Sequence, residues 1–62
     1  MQYRLKEDRR FVCGITSFGM PAGALVQVSQ IDASTGKVLI DFGGGLLDWF
    51  PESVITEKFE AV

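Results

Sequence analysis

Catalysis by side chains needs paired carboxylates, a base beside a nucleophile, a metal-ligand cluster or a phosphate loop, and each has a residue signature. Asp41 and Asp48 flank the glycine run at 43–45 and could approach one another across that turn. Acids on a hairpin more often solubilise than catalyse, and no apolar concavity is evident that would shift their pKa values. Cys13 is the only cysteine in a chain without histidine, so its thiol has no imidazole base and no intramolecular disulfide partner. On a strand such a residue behaves as a small buried hydrophobe. The glycine run lacks both the lysine and the following helix of a phosphate loop. No catalytic residue, metal ligand set or cofactor site is expected, which leaves binding.

Two sets of residues suit binding. Phe18, Met20 and Trp49 are large and apolar, the first two in a Gly- and Pro-rich stretch and the third on a strand, and an exposed apolar cluster marks a partner surface. Arg4, Lys6, Arg9 and Arg10 form the alternative, a basic segment for nucleic acid. The net charge of −2 opposes a nucleic-acid coat, and the middle strands offer only Lys37 to interleave with aromatics. Arg4, Lys6, Arg9 and Arg10 outweigh Glu7 and Asp8 in the first ten residues, whereas the rest of the chain is acidic. The favoured reading of that asymmetry is a first strand lying beside an acidic last strand of the same sheet, where opposite charges pair.

These residues must be positioned by a short chain. Sixty-two residues make one domain, 1–62, which buries only about 60% of its unfolded surface and gains from oligomerisation. The lone cysteine and the absence of an apolar signal segment fit a cytoplasmic protein. No run reaches the roughly 18 apolar residues of a membrane span.

The periodicity is that of strands. Residues 1–10 read as a flexible or edge-strand arm. Phe11–Thr16 reads as a strand with Phe11, Cys13 and Ile15 on its core face, and Ser17–Gly23 as a loop. In Ala24–Asp32 the alternation slips between Val28 and Ile31, which predicts a bulge. After the loop Ala33–Gly36, Val38, Ile40 and Phe42 alternate with Lys37, Leu39 and Asp41. The three glycines turn the chain into Leu46–Phe50, Pro51 ends that strand, Glu52–Val54 suits one 3₁₀ turn, and Ile55–Phe59 closes the sheet.

A Gly/Pro-rich loop, the strand-turn-strand ALVQVSQIDASTGKVLIDF, a second glycine turn and the WFPESVI step together resemble an SH3-like barrel of the generic small bacterial, phage or plasmid type. The resemblance covers about residues 11–59 and implies a small all-β, five-stranded barrel with one 3₁₀ turn before the last strand. Phe50 to Ile55 resembles the F-P-S-N-Y-V segment of peptide-binding SH3 domains, but Val54 stands where their ligand-stacking tyrosine would be, and an A-L-Y-D-Y motif is missing. Analogy with the F-P step places Phe50 inside and Trp49 outside. The expected function is a non-catalytic binding module acting on an unidentified protein partner, or also on a second copy of itself.

Overall fold

The computed structural model describes residues 1–62. In chain order its elements are β1 (Gln2–Leu5), β2 (Arg9–Cys13), β3 (Thr16–Met20), β4 (Leu25–Asp32), β5 (Lys37–Gly43), β6 (Leu46–Pro51), α1 (Glu52–Lys58) and β7 (Phe59–Ala61). An antiparallel five-stranded sheet runs β6-β5-β4-β1-β7, and β2 and β3 form a two-stranded sheet of their own. The chain is all-β in class. It has seven strands in two open sheets, however, in place of five in one barrel.

Two local causes account for the additional strands. Gly14 takes φ 65° between the paired residues Cys13 and Thr16, while Ile15 keeps a negative φ. Positive φ at the first central position alone makes this a type II′ turn, whose twist suits a two-residue hairpin. The segment FVCGIT therefore breaks at its centre, and Ile15, expected on the core face, is fully exposed at the tip. The stretch expected as a loop at 17–23 begins inside β3, because Gly19 adopts ordinary extended backbone opposite Arg10. Residues 2–5 are likewise no arm: β1 lies between β4 and β7, with Tyr3 and Leu5 facing inward.

The meander β4–β5–β6 follows the sequence pattern closely. Its register shifts between Val28 and Gln30, where the alternation slips, and this sets Ile31 opposite Val38 on the inner face, where it stays largely exposed beyond the core. Gly44 and Gly45, with φ 62° and 83°, form the type I′ turn that joins Gly43 to Leu46. No helix is long and apolar enough to cross a membrane.

A single apolar core lies between the sheets and α1. Leu5, Phe11, Val26, Val28, Val38, Ile40, Ile55 and Phe59 are buried together, and no polar or charged residue is buried with them. Phe11 sits at the centre of an aromatic group, with ring centroids 6.1, 5.1, 6.1 and 5.9 Å from Phe18, Phe42, Phe50 and Phe59. Such pairs add about 0.5–1.5 kcal/mol each beyond their buried area.

After Pro51 the chain forms a seven-residue α-helix, not a single 3₁₀ turn, and the helix absorbs most of the expected closing strand. Ile55 and Phe59 are four residues apart, which is two strand periods and about one helical turn, so both readings place them on one face. Glu52 in the first turn and Lys58 in the last complement the helix dipole. The Glu52 N–H donates to the Gly36 carbonyl at 2.9 Å, which ties the helix start to the β4–β5 loop. A helix this short owes its stability to packing, here through buried Ile55.

Candidate functional site

Strand parity sorts β6 into two faces. Leu46, Asp48 and Phe50 point to the core side, and Leu47, Trp49 and Pro51 point outward. Phe50 meets Phe42 and Phe11 edge-on at 5.7 and 6.1 Å, so the inner position is taken by the phenylalanine. Trp49 retains 41% and Leu47 45% of its accessible surface on the outer face. Leu39 lies directly opposite Trp49 on β5 and is half-buried. These three residues make an apolar corner on a face that also carries Gln30, Asp41, Gln27 and Arg4, with exposed Leu25 opposite Arg4 at its far side.

The edge of β6 beside this corner is closed to strand pairing. The Trp49 N–H donates to Asp48 Oδ1 at 2.8 Å, so it turns away from β5. Two residues on, in the same alternation, Pro51 has no N–H to offer. Asp48 also accepts the Gly14 N–H through Oδ2 at 3.3 Å, which brings the tip of the β2–β3 hairpin against β6. A charged side chain directed inward on an edge strand is one of the devices that prevent edge-to-edge association.

Asp41 and Asp48 do not form a carboxylate pair. They sit at opposite parity on neighbouring strands, and Asp41 Oδ1 accepts the Gly43 N–H at 2.8 Å inside the glycine turn. Cys13 is buried, as its strand position predicts. Burial pushes its thiol pKa up, and the Asp48 charge adds to that; both disfavour the thiolate a nucleophile needs. Asp32 is held below the usual carboxylate value mainly by its Ser34 hydroxyl hydrogen bond.

Phe18, Met20 and Trp49 are not brought to one surface. Phe18 and Met20 are half-buried and pack on the core from the hairpin, with Phe18 edge-on to Phe42 at 5.1 Å. Trp49 faces the opposite way from β6. Arg4, Lys6, Arg9 and Arg10 are divided as well. Arg4 lies on the outer face of β1 and pairs with Glu60 at 3.2 Å, as the asymmetric charge distribution suggests. Lys6 occupies the bend after β1, the Arg9 guanidinium lies 5.7 Å from the Phe11 ring centroid, and Arg10 Nε donates to Ser17 Oγ at 3.2 Å. Leu47 and Leu39, the neighbours of Trp49, are signalled in the sequence only by their parity with it.

Comparison with protein-family models, with curated proteins and with solved structures finds no match for this chain.

Proposed function

We propose that the chain is an SH3-like domain serving as a non-catalytic protein-binding module, with Trp49 as the anchor of its contact surface. Three parts support the SH3-like reading. A long hairpin is inserted after the first strand, a three-stranded meander follows, and a short helical segment after Phe50-Pro51 returns the chain beside β1. The observation that carries the binding reading is the corner Trp49, Leu47 and Leu39 on the outer face. The inner face is filled by Phe11 and the four phenylalanines packed around it, while Trp49 stands on the outer face with 41% of its surface exposed.

Tryptophan in a partly desolvated position is the residue type most often found at binding hot spots, where truncation costs about 2 kcal/mol or more. Trp49→Ala is therefore expected to leave the circular dichroism spectrum unchanged and to weaken capture of a partner from the native host about thirtyfold. Sedimentation of the same two proteins separates a foreign partner from a second copy. Unchanged partner binding and unchanged oligomeric state, with the fold intact, would remove Trp49 from the surface.

A further inference from the structure

We propose that the free edge of β3 is a strand-addition site for an extended segment of another protein, one in which apolar residues alternate with carboxylates. β3 pairs with β2 on one side and with no strand on the other. In a two-residue hairpin the pair next to the turn, Cys13 and Thr16, exchanges hydrogen bonds. Alternation along the ladder then assigns the same status to Phe11 with Phe18 and to Arg9 with Met20. Ser17 and Gly19 accordingly direct their N–H and C=O groups away from β2, and the backbone hydrogen bonds made outside the ladders involve neither residue.

Nothing blunts this edge. Thr16–Met20 contains no proline and no charged side chain, and its register against β2 is unbroken, so it lacks the usual guards against pairing. Main-chain groups supply the affinity in such strand addition, and side chains on alternate positions supply the selection.

Arg10 provides that selection on the outer face. Its Nε is held by Ser17 Oγ, and its Nη1 lies 4.0 Å from where a Cβ on Gly19 would stand. The guanidinium is thus laid over β3 toward the free edge, and the bare Gly19 leaves room beside it. The chain's one ion pair joins Arg4 to Glu60, so the remaining Arg10 donors are open to a carboxylate, the acceptor they match in geometry. On the inner face, Phe18 and Met20 are only partly covered by the core, and an apolar side chain of an added strand would extend that cover. A second copy suits the edge poorly: pairing β3 with its own antiparallel copy places two Arg10 side chains on one face, and Thr16–Met20 offers a carboxylate to neither.

The test uses the whole chain, labelled for amide NMR, and two blocked peptides, one alternating valine with glutamate and the other valine with lysine. The valine–glutamate peptide is expected to slow hydrogen exchange at the Ser17 and Gly19 amides and to bind about tenfold more tightly than its lysine counterpart. Arg10→Glu is expected to reverse that preference. Sarcosine at position 19 of a synthetic chain removes the outward N–H without touching the β2 ladder and should weaken both peptides. Trp49→Ala should leave peptide binding unchanged, which keeps this site separate from the proposed tryptophan surface. The proposal is overturned if no peptide binds at millimolar concentration, if the shifts map to β6 or β7, or if the two amides are already protected in the free protein.

Discussion

β6 and β3 are each left with one side that no strand of the chain pairs, and the sequence treats these two edges in opposite ways. Along β6, Asp48 turns inward to take the Trp49 and Gly14 N–H groups, and Pro51 removes the next donor. Along β3 no charge, proline or bulge intervenes, and the nearest charge, Arg10, lies across the strand without blocking it. The difference follows from what stands beside each edge. Next to β6 is the exposed corner of Trp49 and Leu47, where an open ladder would join backbone affinity to apolar contact and invite indiscriminate pairing. Beside β3, Arg10 lies on the outer face and Arg9 on the inner one, and the proposed selection among incoming strands rests on Arg10. The two proposed surfaces of this 62-residue chain thus differ in that only one of them is also an open ladder.

The largest effect that could break this contrast concerns the anchoring of the hairpin. β3 reaches the core only through β2 and its own Phe18 and Met20, and Phe11 packs against every aromatic ring that holds the two sheets together. Phe11→Ala should cost about 3–5 kcal/mol, comparable with the whole of what a core of this size supplies, about 3–5 kcal/mol. The variant is expected to be largely unfolded at 25 °C by circular dichroism. A loss below about 1 kcal/mol on a urea curve would mean that the hairpin is not fixed by the core and that its edge has no defined geometry.

Next in size is the guard on β6. Asp48→Ala strips the acceptor from two backbone N–H groups, for which about 1–2 kcal/mol is expected. Exchange at the Trp49 and Gly14 amides should quicken, and concentration-dependent association through β6 should appear by sedimentation. Asp48→Asn, which keeps a carbonyl acceptor, should restore most of the stability. Cys13 reports on the same charge. Its folded pKa lies above the ordinary 9.0, first through burial and then through Asp48. The stability this contributes is fully present below the unfolded-state pKa and is lost as pH rises through the folded one. Native stability should therefore fall in the alkaline range above pH 9.0, and less steeply in Asp48→Ala, where burial alone remains. An identical alkaline profile in both proteins would detach Asp48 from the Cys13 site.

Much of the meander was legible in the sequence because its cues are local. The phase slip after Val28, the glycine turn and the opposed directions of Trp49 and Phe50 each follow from a few adjacent residues and from period-2 alternation. The hairpin was harder to read because its strongest cue, Gly14, sits within an otherwise regular alternation, while Gly19 and Pro21 resemble loop residues although Gly19 is extended. α1 was hidden by a coincidence of spacing, since Ile55 and Phe59 satisfy helix and strand alike. The β3 edge could not be seen at all from composition: openness depends on which strands fail to pair, and that is a property of the whole topology. Arg10 read as one of a basic group of four because charge counting carries no information about which face a residue occupies.

The smallest expected effect concerns another edge, β7, which has no proline, has its one acid tied to Arg4, and is only three residues long. Arg4 and Glu60 pair across β1 and β7 at 3.2 Å, each with about half of its side chain in solvent (45% and 52%). Exposed pairs of this kind contribute about 0.2–1 kcal/mol and are screened by salt. A double-mutant cycle with Arg4→Ala and Glu60→Ala should therefore give a coupling near the lower end of that range, falling further at high ionic strength. The neighbouring register pair Leu5 and Phe59 is almost fully buried, and Leu5→Ala should cost several times more, about 2–5 kcal/mol. If the ion pair instead matched the apolar pair, β7 would be held by charge and released by salt, and its edge would open under conditions in which β6 stays closed. The prediction that salt leaves β7 in place thus leaves β3 as the uncharged open edge, since β2, the remaining one, carries Arg9 and Arg10.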